Sequence, residues 1–102
     1  MRILAYDYKF EAITTPMTNL KNMGTHDSLG LTITICTSML RQHQESTVFH
    51  EIIESVNWQL GLGLSEQKIL ALEVGIYNTL HNAGVDLDPL MKELDRQSGR
   101  KE

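Results

Sequence analysis

The chain has 102 residues, 41% hydrophobic and 22% charged, which supports one packed core, is too short for two ordinary domains, and excludes a disordered chain. A formal net charge of −4 supplies no basic surface for a phosphate backbone, so nucleic acid is not an expected partner. No apolar run approaches the ~20 residues of a membrane span, and Asp7 arrives too early for a signal-peptide core, so no membrane partner is expected either.

From the N-terminus, Ile3 to Phe10 alternates with a period near two and predicts a half-buried strand, interrupted at Thr14-Thr15-Pro16. A short strand around Met23 to His26 and a turn at Asp27-Ser28-Leu29-Gly30 predict a hairpin with Leu31 to Cys36, in which Leu31, Ile33 and Ile35 share one face. The period turns helical from about Leu40, with Phe49, Ile52, Ile53, Val56 and Leu60 on one face, and Gly61-Leu62-Gly63 ends the segment.

Ser65 is the predicted N-cap of a second helix with Glu66 in its first turn; Ile69, Leu72, Ile76, Tyr77 and Leu80 carry it to Gly84. Asp88-Pro89 starts a short third helix running through Leu94. Strands first and helices after predict an α+β fold: a small antiparallel sheet of two or three strands packed against two amphipathic helices, plus a short C-terminal helix. Residues 1–97 form the expected single domain and 98–102 a polar tail.

The first helix carries His50-Glu51-x-x-Glu54. Each helical residue advances about 100°, so His50 and Glu54 sit one turn apart and Asn57 joins their stripe at the border of the apolar face. On the second helix Glu73 falls among Ile69, Ile76, Tyr77 and Leu80, where an ionised carboxylate needs a partner. Three partners satisfy it: its own proton, a side chain such as His50 or Asn57, or a cation shared with His50 and Glu54. The bland alternative to a metal site is a buried hydrogen bond between His50 and Glu73 across the helix pair.

The segment Thr47-Val-Phe-His50-Glu51-Ile-Ile-Glu54-Ser-Val-Asn57, with Leu64-Ser65-Glu66, Leu72-Glu73-Val-Gly-Ile-Tyr77 and the upstream Gly24-Thr-His-Asp27 and Leu31 to Ile35, resembles small phage and bacterial proteins with a minimal gluzincin-type metallopeptidase core. The resemblance covers roughly residues 23 to 82. It implies a metal-dependent peptidase-like domain of phage type acting on a peptide, with His50, Glu54 and Glu73 as metal ligands and Glu51 as general base. Glu54 stands where that motif has a second histidine. Two anionic ligands weaken the Lewis acidity of the ion and admit manganese or iron as well as zinc.

Other residues have simpler readings. Glu51 projects about 100° further from the core than His50 and is expected in solvent unless it is the base. Asn57 is a backbone cross-linker or a substrate contact, and Tyr77 a core-edge aromatic or an oxyanion donor. His26, His43 and His81 lack helical-spacing partners and are expected at the surface. Lone Cys36 suits a reducing compartment, hence an expected cytoplasmic location, and not nucleophilic catalysis. Met17, Met23 and Met39 read as gap fillers. Trp58, opposite the apolar face, either anchors a partner or is covered by the N-terminal strand or the third helix. The rival function is therefore a non-catalytic accessory protein gripping a host protein.

Overall fold

The computed structural model describes residues 1–13, 24–38 and 40–97. In chain order the elements are β1 (Arg2–Ile3), β2 (Tyr6–Asp7), β3 (Lys9–Ile13), β4 (Gly24–Asp27), β5 (Thr32–Cys36), α1 (Arg41–Leu60), α2 (Glu66–Asn82) and α3 (Asp88–Gln97). The fold class is α+β, with a short C-terminal helix. The readings at Thr14 to Pro16, of Met17, Met23 and Met39, and of the 98–102 tail lie outside the described residues.

The opening segment is not one strand. A tight turn at Leu4-Ala5 folds β1 back on β2, pairing Arg2 with Asp7 and Ile3 with Tyr6, and β3 begins only after Tyr8. In the second sheet β5 lies between β3 and β4. The hairpin of β4 and β5 is antiparallel, as expected, whereas β3 pairs with β5 in parallel, Phe10 opposite Ile33 and Ala12 opposite Ile35. The sheet is therefore mixed. Period-two alternation fixes which face a residue takes and is silent about the direction of its neighbour. At the hairpin turn Asp27 Oδ1 accepts from the backbone N–H of Leu29 and Gly30, both at 3.1 Å, which is why an Asp closes it.

The core joins Ile3, Tyr8 and Phe10 to Ile33, Ile35, Val48, Met91 and Leu94. Helix α3 presents Met91 and Leu94 to the sheet beside β3, and its last residue, Gln97, accepts from the Phe10 N–H at 3.1 Å, so it extends one turn beyond Leu94. Helix α1 lies over β4 and β5, and α2 packs on α1.

The face that α1 buries differs from the apolar stripe in its sequence. Its buried residues are Gln44, Val48, Glu51 and Ser55, with Ile52 and Val56 at the core margin, while Leu60 is exposed. On α2 only Ile69 and Tyr77 are buried, and Leu72 and Ile76 face outward. Helix α2 covers one side of α1 and the sheet another, so the buried surface of α1 exceeds a single stripe and takes in polar side chains, whereas α2 packs on α1 and buries a narrow stripe.

Candidate metal centre

Local sequence brings α2 back beside α1. Gly61 adopts the left-handed conformation at φ 60°, and the N–H groups of Gly61 and Leu62 return to the carbonyls of Trp58 and Asn57, a Schellman closure that an L side chain at Gly61 would strain. Asn57 Oδ1 accepts from the Leu64 N–H at 2.9 Å and locks the turn, the backbone cross-link expected of it. Ser65 Oγ then caps α2 by accepting from the Lys68 N–H at 3.2 Å. Glu66, in the first turn of α2, is thereby carried to the polar stripe of α1.

His50 Nε2 lies 3.7 Å from Glu54 Oε2 and 3.6 Å from Glu66 Oε2, and the three ligand atoms all fall within 4.8 Å of one another. Two atoms each about 2.1 Å from a shared ion at a tetrahedral angle stand about 3.4 Å apart, so this spacing can hold a metal ion with small side-chain adjustments. The Glu54 carboxyl is pushed up by burial, and further by a hydrogen bond to Glu66 and by that neighbour's charge. Two carboxyl groups in contact need a proton or a cation between them.

The other ring nitrogen is also engaged. His50 Nδ1 is 2.8 Å from Glu73 Oε1, and Ser46 Oγ donates to the second oxygen of Glu73. Thus the hydrogen bond between His50 and Glu73 exists, and Glu73 stands behind the imidazole while Glu66 stands beside its front edge. Burial lowers the His50 pKa, but the hydrogen bond to Glu73 and the charges of Glu51, Glu73 and Glu66 outweigh it and leave it raised.

Glu51 is 4% exposed, so of its two readings plain solvent exposure does not hold. Strand β4 covers it: a Cβ built on Gly24 would lie 3.1 Å from Glu51 Oε2 and 2.7 Å from Thr47 Cγ2, so only glycine lets the strand come this close. No donor among the described residues hydrogen-bonds the Glu51 carboxyl, which faces the cleft. Burial pushes it up to about 7, with His50 pulling it down and Glu54, Glu66 and Glu73 adding to the rise. The open cleft, about 850 Å³, is walled by Gly24 to His26 on one side and by Glu66, Gln67, Leu70 and Glu73 of α2 on the other.

The remaining candidates divide between core and rim. His26 is half-buried, not a surface residue: its Nε2 is 2.8 Å from Tyr8 OH, and burial lowers its pKa against the opposing charge of Asp27. Tyr77 is buried and donates to Glu45 Oε1 at 2.8 Å, which places its hydroxyl in a structural bond. Cys36 is buried at the end of β5, while His43 and His81 are exposed. Trp58 is 45% exposed beside Tyr6 of β2, at a ring distance of 5.8 Å, so the N-terminal hairpin covers it in part.

Glu66 was legible only as a first-turn acid. That a helix-capping glutamate also reaches a ligand position depends on the length and hand of the turn at 61–65, which residue spacing along one helix does not express. Comparison of the chain with models of known protein families, with curated proteins and with solved structures finds no match.

Proposed function

We propose that this chain is a divalent-metal-binding domain with a hydrolase-type site, acting on a peptide if the bound ion is catalytic. The observation that carries the reading is the convergence of His50 Nε2, Glu54 and Glu66 at ligand spacing, with a carboxylate on the opposite nitrogen of the same ring. In metal sites a carboxylate behind a histidine fixes the tautomer: here Nδ1–H would donate to Glu73, leaving the Nε2 lone pair for the ion. His50, Glu54 and Glu66 would hold the ion, and Glu73 would orient His50.

A bound divalent ion would supply Lewis acidity toward water and a peptide carbonyl. Glu51, buried beside the ligands and open to the cleft, is the group positioned to accept the proton. One neutral and two anionic ligands suit manganese or iron at least as well as zinc, and moderate the acidity.

Calorimetric titration of untagged protein with manganese, iron(II) and zinc tests the reading: one ion per chain is expected, and His50→Ala and Glu66→Ala should each abolish it. Absence of stoichiometric binding by any of the three ions overturns it. A second reading, a non-catalytic module gripping a protein, is favoured by the exposure of Leu70, Leu72, Val74 and Ile76 on α2. The two separate on thermal melting of protein incubated first with metal. Added chelator lowers the melting point on the metal reading and leaves it unchanged on the other.

A further inference from the structure

The cleft has a charge and a rim that the metal reading does not use. Glu51, Glu54, Glu66 and Glu73 line it, and among the described residues no lysine or arginine does. Four ionised glutamates outweigh one divalent cation by two charges, and still by one when Glu51 carries its proton. The loaded cleft therefore stays negative, with low-dielectric walls that focus the field.

Beside it stands an aromatic pair. Trp58 follows Glu54 by one helical turn, about 6 Å along α1. Its ring centroid is 6.0 Å from that of His26, which itself lines the cleft, and 5.8 Å from that of Tyr6. Trp58 and Tyr6 keep 45% and 43% of their surface exposed, whereas Tyr8 beneath them is buried and bonded to His26. The inner rings are structural and the outer two are partly open to solvent. An indole and a phenol beside a field of carboxylates attract an organic cation both through the negative ring face and through the cleft potential.

We propose that the cleft selects peptides bearing a lysine or arginine, the chain lying along the Glu-lined floor and its basic side chain reaching the partly exposed Trp58 and Tyr6. This rests on the reading of the cleft as a peptide site, but not on the ion, because the lining sets four glutamates against the two histidines His26 and His50 whether or not an ion is bound. A lysine side chain extends about 6 Å, the axial distance from Glu54 to Trp58.

The test is calorimetry of the full chain, metal-free and manganese-loaded, with three capped peptides that differ at one position: lysine, norleucine or glutamate. The lysine peptide is expected to bind roughly tenfold tighter than the norleucine peptide, and the glutamate peptide weakest, with the lysine advantage shrinking as salt rises. Gln67→Lys, which adds a positive charge to the wall without touching a ligand, should reduce that advantage. Trp58→Leu keeps apolar bulk and removes the ring, and should weaken the lysine peptide alone. Equal or tighter binding of the norleucine peptide, no binding of any peptide, or no effect of Trp58→Leu overturns the proposal; so does spermidine binding tighter than the lysine peptide, which would mark the cleft as a site for free amines. The ion stoichiometry read in the same titrations reports on the metal reading separately: an ion bound without preference for lysine leaves that reading standing and removes this one.

Discussion

His50 is the residue on which the site turns, since each of its ring nitrogens meets a different helix-borne carboxylate. Replacing Glu66 by Gln should remove an ionic ligand and weaken metal binding by more than 100-fold, whereas Glu73→Gln should weaken it by roughly 10- to 100-fold, the scale of an outer-shell partner. Calorimetry on the two variants ranks them, and a larger loss for Glu73 would make it the ligand. Glu51 supplies a pH signature. An acid whose folded pKa is raised leaves stability untouched below its ordinary value of 4.5 and costs progressively more until the pH passes about 7, on the order of 3 kcal/mol for a shift this large. His50, raised above 6.5, contributes stability that is fully present below 6.5 and is lost as pH rises through its folded value. The metal-free protein should therefore lose stability between about pH 5 and about pH 8, and Glu51→Gln should flatten most of that decline in denaturant titrations. Gly24→Ala forces a Cβ against Thr47 and Glu51 and should destabilise by roughly 1–3 kcal/mol, read the same way. The sequence marked His50, Glu51 and Glu54 as one constellation, but it could not show that β4 presses a glycine over Glu51.

At the level of elements, α2 rests on α1. It holds to α1 through Ile69, through the Tyr77 hydroxyl on Glu45 and through Glu73 on His50 and Ser46, while Leu70, Leu72, Val74 and Ile76 remain exposed. A cation bridging Glu66 to His50 and Glu54 would fasten the start of this helix to the middle of α1. Hydrogen exchange across residues 66–82 should consequently slow when metal is added, by about tenfold or more at saturating ion; unchanged exchange there would mean that the ion, if bound, does not join the helices. Both long helices were visible in the sequence with their ends nearly correct, because Gly61 and Ser65 are local signals that need no tertiary context. Their buried faces were less visible. Hydrophobic periodicity assigned Leu72 and Ile76 to the core and Glu51 to solvent, whereas the structure buries Glu51 and exposes both aliphatics, since α1 meets partners on two sides while α2 packs on α1.

Across the molecule, the α+β class followed from element order, and the hairpin of β4 and β5 from its turn chemistry. The parallel pairing of β3 with β5 did not, because it is fixed by a connection between distant segments and not by any residue of either strand. That pairing leaves β4 at the sheet edge, where it walls the cleft opposite α2. The centre thus lies between a strand edge and two helices, and a single diffraction measurement addresses it: anomalous scattering from crystals of the manganese- or zinc-loaded protein. The expected result is one peak per chain, about 2–2.5 Å from His50 Nε2 and from carboxylate oxygens of Glu54 and Glu66, with Glu73 on Nδ1 outside the coordination sphere. A peak elsewhere, or none in crystals soaked at millimolar metal, would contradict it.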